Sequence, residues 1–477
     1  MNTLPSPRFL GVALVTAALA IGLSGCDKML EFEPGDVILA EDAINSADDL
    51  QRMLNSNYDV LGNLLNGRQQ SVAELLTNNM ARPYSSLDYT AVWNRETNFF
   101  TPTTGGLYTD FYYAIYRANV VIDSFDLVQD LDEATRIRLE AESRFVRAVC
   151  HWYLVKMWGY PYGYTADNGH LGVPLRLDAV EPPTPRATVA QVYAQVLSDL
   201  TFAKENLPNE NGPYASSMAA SGFLAHVHFL RQDWSASRAE SDRIINSGLY
   251  ALDNDLDRFE AGSDSVLAGD LINPETVFGI VGGYFAVDGD SLLNDRSSAF
   301  RDNFRQDNNV NPQLTFSSDI LNLFSLNSAD DRGDWIASDG VQHKVTRFDN
   351  KQYFNVPLVH LTGLHLLRAM SLAHDGSDLS AAIADINAIR DRAFGPDLND
   401  LPADSDASTV LLAAQEEYRK ETLCEGWELD QLKLRGLMGN PETVRDAPWD
   451  CPGSLLQFPN SSTTAAGFVL NDEGGCL

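Results

Sequence analysis

The stretch EATRIRLEAESRFVRAVCHWYLVKMWGYP, residues 133–161, decides the fold. It contains no Gly or Pro before Gly159, so nothing in it interrupts a helix until Gly159 and Pro161 end it. Two apolar rows recur in it at helical spacing: Val146, Val149, Tyr153 and Met157, and beside them Phe145, Ala148 and Trp152. Because these rows cover more than one narrow stripe, the sequence predicts a helix that neighbours pack on two sides.

Similar helical spacing appears on both sides of this stretch. The further predicted helices are residues 41–66, 107–128, 188–206, 216–231, 234–246, 356–374, 379–393 and 409–435. A helix, a short turn and a second helix, with recurring Ala and Tyr, is typical of tetratricopeptide-like pairs. The sequence therefore predicts a mainly α fold, a tetratricopeptide-like scaffold of helix pairs. Irregular stretches are expected at 82–106, 159–185 and 250–345, and in the tail from Pro441.

Composition limits the classes of partner. The chain has 477 residues, 44% of them hydrophobic, so a sizeable core is available. Its formal net charge of -32 argues against nucleic acid and against an anionic membrane surface as partners. Only 7 of the 34 basic residues are Lys. This pattern fits a salty habitat, and it fits equally a highly soluble acidic surface.

The N-terminus has the pattern of an export signal. Arg8 precedes an apolar run from Phe9 to Leu23, and Leu23-Ser24-Gly25-Cys26 resembles a bacterial lipobox. The alternative is a plain signal peptide followed by a chance Cys. We expect a signal peptide at 1–25, a lipidated Cys26 that begins a tether at 26–40, and a single domain at 41–477 with an irregular insertion at about 250–345. The apolar run is too short to be taken as a membrane-spanning helix.

The remaining cysteines divide into two pairs. Cys150 and Cys424 lie in apolar helical patterns and are expected in the core. Cys451 and Cys476 lie in the irregular tail, where a disulfide is allowed outside the inner membrane. Sequence alone does not give the distance between them, so both states stay open.

Several motifs suggest chemistry and then fail a physical requirement. Asp253, Asp255 and Asp257 resemble the start of a calcium loop, but Arg258 stands where such a loop needs Gly. Two pairs of His, at 226 and 228 and at 360 and 365, are badly spaced to share a metal on a helix. Neither a phosphate loop nor a nucleophile elbow is present. We expect no cofactor, no bound metal and no catalytic residue.

Taken together, several segments resemble the SusD/RagB family of outer-membrane nutrient-binding lipoproteins. They include the lipobox with the segment that follows it, and four internal motifs: Glu140–Ala148 with Trp158–Pro161, Gly172–Leu175, Asn387–Arg390 and Arg419–Gly426. The sequence departs from the family pattern after Gly426, where it reads Trp427-Glu428-Leu429, and at His360 and Gly363. The departures indicate a divergent branch, so a close relative's ligand is not a guide here.

The resemblance implies about four tetratricopeptide-like helix pairs on one side and a large, loop-rich, irregular ligand-binding face on the other. It implies an outer-membrane lipoprotein, facing outward, that captures an oligosaccharide and passes it to a SusC-like TonB-dependent transporter without chemistry. Three alternatives stay open. They are a peptide-binding member of the family, a glycoside hydrolase with two carboxylates about 5–10 Å apart, and a helical-repeat scaffold that binds only protein.

Aromatic residues in irregular stretches are the candidates for ligand contact. Sugars need flat ring faces, together with amides and Arg to bind their hydroxyl groups. Residues 82–100 and 284–335 supply both, whereas Trp152, Tyr153 and Trp234 have helical spacing and are expected in the core. We predict Trp93, Tyr84 and Trp335 as the stacking platform, with Arg82 and Asn94 as polar contacts. The alternative is that these rings only pin their own loops.

Overall fold

A computed structural model describes residues 44–83, 86–180, 182–254, 256, 273–281, 283–287, 290–294, 298–304, 312–346, 355–473 and 475–476. Four predictions fall partly or wholly outside these residues. They concern the signal peptide, Cys26 with its tether, Tyr84, and the calcium-like motif through Asp255 and Asp257. Residues 46–477 group into one compact unit.

The helices account for most of this unit. They are α1 (Ala47–Leu64), α2 (Arg68–Leu75), α3 (Leu87–Trp93), α4 (Pro102–Asp123), α5 (Glu133–Trp158), α6 (Val189–Asn206), α7 (Ser217–Leu230), α8 (Trp234–Ile245), α9 (Ser298–Phe304), α10 (Ser318–Ser325), α11 (Leu361–Asp375), α12 (Leu379–Phe394), α13 (Ala407–Glu421) and α14 (Glu428–Leu437). They stack largely in chain order, α4 on α5, α5 on α6, α6 on α7 and α7 on α8. The array continues past the insertion, where α11 packs on α8, α12 and α13. The predicted mainly α, tetratricopeptide-like scaffold is confirmed.

The central helix α5 matches the predicted bounds. The Asp132 carboxylate caps it by accepting the Thr135 N–H at 3.0 Å. From Leu139 to Trp158 every side chain except Arg144 is buried, because both α4 and α6 pack against α5. Arg147 fixes one of these contacts, since two of its guanidinium nitrogens donate to the Asp199 carboxylate of α6, both at 2.8 Å.

Short antiparallel strand pairs accompany the helices. β1 (Thr276–Ile280) pairs with β6 (Val356–His360), β2 (Gly283–Val287) with β3 (Asp290–Asn294), β4 (Ile336–Ser338) with β5 (His343–Val345), and β7 (Thr443–Val444) with β8 (Ala447–Pro448). The β1–β6 pair lies against α7. There Gly222 allows close approach, because a Cβ at that position would lie 2.5 Å from Val359 Cγ1. The small residue at this position of α7 thus lets the strand approach closely.

Three predicted boundaries are wrong. The stretch 82–106 was expected to be irregular, but α3 forms inside it and α4 begins at Pro102. The prediction for 356–374 missed β6, whose apolar, β-branched residues pair with β1 before His360 caps α11. The predicted helix 409–435 is two helices, because Cys424 and Gly426 adopt positive φ angles of 71° and 80° in the intervening turn.

The cysteines and histidines take structural positions. Cys451 and Cys476 form a disulfide, and Cys150 and Cys424 are buried. His226 stacks on Trp427 with ring centroids 4.1 Å apart. His360 and His365 each lie within hydrogen-bonding distance of a carboxylate, Glu425 and Asp385 respectively. Two family departures, Trp427 and His360, are therefore core residues.

Candidate functional site

Five residues were predicted to bind ligand. Among the four of them that the structure describes, Trp335 is buried instead of exposed. Its side chain is only 3% exposed and packs beside Phe324, with ring centroids 6.2 Å apart. It ends a short 3₁₀ helix, Asp331–Trp335, that Arg332 holds in place through a buried ion pair with Asp330 at 2.8 Å. The prediction of an exposed ring is wrong for Trp335, because this anchored turn directs it into the core.

Trp93 is the last residue of α3 and is half-buried. The Ser86 hydroxyl caps this helix by accepting the Tyr89 N–H at 3.2 Å. The Trp93 indole N–H donates to the Met80 carbonyl oxygen at 2.9 Å, and Met80 pairs with Phe316 in a β-bridge. Trp93 therefore joins α3 to the segment that precedes it. This contact is the structural role predicted from the sequence as the alternative to ligand binding.

Arg445 places a positive charge on the Trp93 ring. Its guanidinium carbon lies 4.6 Å from the ring centroid. Burial, with a smaller contribution from the positive charge of Arg95, lowers the pKa of Arg445 to about 9. The guanidinium also donates to the carbonyl oxygens of Thr77 and Leu75. One ring face is thus occupied, and a ligand would have to use the remaining exposed part of Trp93.

The two predicted polar residues lie near the ends of the same segment. Asn94 follows Trp93 directly, and its amide donates to Glu96 Oε2 at 3.2 Å. Arg82 is exposed, a few residues before α3. Trp93 and Asn94 are adjacent at the end of α3, whereas Trp335 lies in the core. The role of Trp93, Asn94 and Arg82 in binding stays a prediction, as does that of Tyr84.

Phe100 is the exposed ring that the prediction did not select. It is 73% exposed and lies against Phe99, with ring centroids 4.2 Å apart. The Phe100 N–H donates to Asn98 Oδ1 at 2.9 Å. A sequence signal was present: Pro102 favours a helix start, so the residues before it form an exposed turn. We call residues 93–100 the aromatic turn.

The C-terminal tail holds the aromatic turn from behind. The Gln457 N–H donates to Thr97 Oγ1 at 3.0 Å, and the Asn460 N–H donates to the Phe99 carbonyl oxygen at 3.3 Å. The turn thus presents ring surface, the Asn94 amide and the Glu96 carboxylate on a supported backbone. These groups suit noncovalent recognition of a polar ligand with apolar faces.

The fold is shared with solved structures of the SusD superfamily. A superfamily protein from Bacteroides vulgatus gives a TM-score of 0.76 at 19% identity, covering 90% of this chain and 99% of that chain. A laminarin-binding SusD-like protein gives a TM-score of 0.70 at 17% identity, with coverage of 90% and 99%. At sequence identities of 19% and 17%, these matches show a similar fold and nothing further.

The sequence comparisons each cover half of the chain or less. Residues 28–229 match a SusD-like family model described as "Starch-binding associating with outer membrane". This part of the chain is thus similar to the SusD-like family. A SusD-like protein from Formosa agariphila is 26% identical over 262 residues, which is 50% of this chain and 46% of that protein. A SusD-like protein from Bacteroides ovatus is 26% identical over 207 residues, 40% of this chain and 36% of that protein.

The chain thus aligns with less than half the length of these curated relatives. Among the helices in the described ranges, none combines the length and apolar character needed to cross a bilayer. These comparisons confirm the resemblance on which the sequence predictions depended.

Proposed function

We propose that this SusD-like chain captures an oligosaccharide and does no chemistry on it. The observation that carries the proposal is the match of residues 28–229 to a family described as starch-binding and outer-membrane associated. The likeness of the fold to a laminarin-binding SusD-like protein supports a glucan as the first ligand to test.

The proposed place of capture is the outer membrane. In the lipobox reading, Cys26 becomes the lipidated N-terminus, and several acyl chains on this residue hold the chain at the surface facing outward. The captured ligand then passes to a SusC-like TonB-dependent transporter. The support is the lipobox pattern together with the family description.

The proposed contact surface is the aromatic turn together with Arg82. Phe100 offers the most exposed ring and Trp93 a smaller exposed part, while Asn94 and Arg82 can hydrogen-bond to hydroxyl groups. Tyr84 precedes α3 and belongs to the same proposal. A ligand held mainly by stacking and neutral hydrogen bonds fits an oligosaccharide.

The test is retention without turnover. The purified chain is incubated with maltohexaose and laminarihexaose, and both the bound fraction and the sugar products are measured. We expect retention of at least one oligosaccharide, recovered intact. Shortened products would favour a glycoside hydrolase. Retention of a peptide panel alone would favour a peptide-binding member, and retention of only a transporter barrel would favour a protein scaffold.

A further inference from the structure

A cavity of about 360 Å³ lies between α4, the loop residues 174–180 and 182–184, and the tail at 461–468. Four of its lining residues are aromatic: Tyr108, Tyr112, Tyr116 and Phe468. We call it the tyrosine pocket. The aromatic turn contributes no residue to its lining, so the pocket is separate from the surface in the proposed function.

The inner end of the tyrosine pocket is aromatic and fixed. Tyr108 is 7% exposed, and its ring centroid lies 4.7 Å from that of Tyr112. The Tyr112 hydroxyl donates to the Pro174 carbonyl oxygen at 2.7 Å, which joins α4 to the loop. Burial raises the pKa of both hydroxyls, so both rings stay neutral at physiological pH. The inner end therefore offers uncharged aromatic surface.

The outer end is an exposed ring in a fixed orientation. Tyr116 is 49% exposed and lies near-parallel to Tyr113, with centroids 6.5 Å apart and an angle of 19° between the planes. The Arg117 guanidinium lies 5.4 Å from the Tyr113 ring centroid. Phe468, on the tail, packs edge-on against Phe458 at 5.1 Å. Rings held by such contacts lose little entropy when a ligand stacks on them.

Hydroxyl groups supply the polar part of the lining. Thr184 Oγ1 is buried and has no hydrogen-bond partner among the described residues. Ser462 Oγ, also buried, faces the Tyr108 hydroxyl. A buried hydroxyl without a partner is costly, and a ligand that pairs with it removes this cost. Thr184 thus points to a ligand that carries hydrogen-bonding groups.

The charged lining residues balance each other. Arg176 and Asp178 contribute one charge of each sign, and an Arg176 guanidinium nitrogen donates to the Pro182 carbonyl oxygen at 2.6 Å. Asn119 is fully buried. Its amide nitrogen donates to the Arg176 carbonyl oxygen, and its amide oxygen accepts from the Arg147 guanidinium. The pocket is therefore suited to a neutral ligand rather than to an anion.

Contacts outside the pocket hold its walls. The Arg186 guanidinium donates to the Gly172 carbonyl oxygen at 2.6 Å and to Asn471 Oδ1 at 2.9 Å, which ties the loop to the tail. The Ala179 N–H donates to Asp123 at 2.7 Å and fixes the loop to the end of α4. The pocket is therefore largely formed before a ligand arrives, as small-molecule sites usually are.

We propose that the tyrosine pocket is a second saccharide site, which takes one terminal residue of a neutral oligosaccharide while the next residue stacks on Tyr116. A cavity of about 360 Å³ has room for one hexose residue and lies in the size range of small-molecule sites, about 300–1,000 Å³. Aromatic faces then meet the C–H surfaces of the sugar, and the Thr184 hydroxyl pairs with one of its hydroxyls.

The test is calorimetric titration of the full chain with maltohexaose and laminarihexaose. Wild type should show two sites per chain for the better ligand. Tyr116→Ala should weaken the pocket site about tenfold, because it removes the stacking ring. Thr184→Val keeps the side-chain shape and removes the hydroxyl, and should weaken the same site about fivefold.

Two variants serve as controls. Tyr164→Ala removes an exposed Tyr that neither lines the cavity nor stacks on Tyr116, and pocket binding should be nearly unchanged. The double variant Trp93→Ala/Phe100→Ala should keep the pocket site and lose the other. A cooperative thermal transition verifies that each variant is folded, and the double variant should melt at a lower temperature because Trp93 also donates to the Met80 carbonyl oxygen.

Four outcomes would overturn the proposal. They are a single site in wild type, wild-type affinity in both Tyr116→Ala and Thr184→Val, loss of all binding in the Trp93→Ala/Phe100→Ala variant, and no retention of either oligosaccharide. Wild-type affinity in both pocket variants, or loss of all binding in the double variant, would not contradict the proposed capture function. Absence of retention would contradict both proposals for these glucans.

Discussion

The Lys156 ammonium group donates to Asp430 Oδ2 over 2.6 Å, and this buried contact joins the central helix α5 to α14. The same ammonium nitrogen lies 4.0 Å from the Trp152 ring centroid and 4.6 Å from that of Trp427. Burial lowers the pKa of Lys156, while the Asp430 carboxylate opposes that shift. The ion pair therefore stabilises the fold only while both partners are present.

Replacing Lys156 by Met should lower the free energy of unfolding by about 3–5 kcal/mol, since it leaves the Asp430 carboxylate buried without its closest cation. Urea denaturation measures the change. The double variant Lys156→Met/Asp430→Leu should recover most of it. As a control, Arg52→Met breaks the surface pair with Asp49 and should cost less than about 1 kcal/mol. Equal losses in the single and double variants would contradict the argument.

The buried carboxyl group of Glu74 should make the free energy of unfolding depend on pH. Its carboxylate accepts the Gly426 N–H at 3.0 Å and an Asn79 amide hydrogen at 2.7 Å. Burial, aided by the neighbouring charge of Glu428, raises its pKa from 4.5 to about 7, although these hydrogen bonds and Arg419 oppose the shift. In this window the folded state holds a proton that the unfolded state has lost. The contribution of Glu74 is therefore fully present below pH 4.5 and is lost as the pH rises to about 7.

The Glu74 carboxyl should make the free energy of unfolding of wild type fall by roughly 3 kcal/mol between about pH 4.5 and 7, at about 1.4 kcal/mol per pKa unit. Glu74→Gln should abolish this fall. Chemical denaturation at half-unit pH steps measures this difference between the variant and wild type. The exposed Glu96→Gln variant is the control and should follow the wild-type curve. Curves that stay parallel for Glu74→Gln and wild type would show that Glu74 does not titrate in this range.

The disulfide should stabilise the tail and, through it, both proposed binding surfaces. Cys451 and Cys476 are 25 residues apart in sequence, and an Arg95 guanidinium nitrogen donates to Cys451 Sγ at 3.1 Å. For a loop of this length, the double variant Cys451→Ser/Cys476→Ser should lose about 3 kcal/mol of stability. Thermal unfolding with and without a reducing agent tests this. A wild-type melting temperature that the reducing agent leaves unchanged would be evidence against the prediction.

The scaffold could be predicted from the sequence because its determinants are local. Periodic apolar rows and caps such as Asp132 and Thr188 fix where helices lie. The boundaries that failed depend on distant contacts. Residues 356–360 become a strand because Thr276–Ile280 pairs with them, and the turn at Cys424 meets Glu74 through Gly426.

The candidate site was harder to predict for the same reason. Trp335 and Phe100 are both aromatic residues in irregular stretches, yet one is buried and the other exposed. The difference comes from the ion pairs of Arg332, which involve residues almost 90 positions away in α13. The tyrosine pocket combines α4, a loop and the tail, and no single stretch of sequence carries that signal.

Anchoring can be tested independently of ligand. Cys26→Ala removes the proposed lipid attachment site, so the chain should leave the outer-membrane fraction, because no other anchor is proposed. Cell fractionation with immunoblotting measures this, and Ser24→Ala, which keeps the Cys, is the matched control. A Cys26→Ala variant that remains in the outer-membrane fraction as wild type does would overturn the lipobox interpretation.

Capture without chemistry at the aromatic turn is tested most directly by titrating wild type and Phe100→Ala with maltohexaose and laminarihexaose and then recovering the sugar. We predict that wild type binds at least one oligosaccharide and returns it intact. Phe100→Ala should bind it about tenfold more weakly at the aromatic turn, with an unchanged melting temperature, because an exposed ring contributes to stacking and little to the core. Equal affinity in the two proteins, or shortened sugar after the titration, would contradict the account.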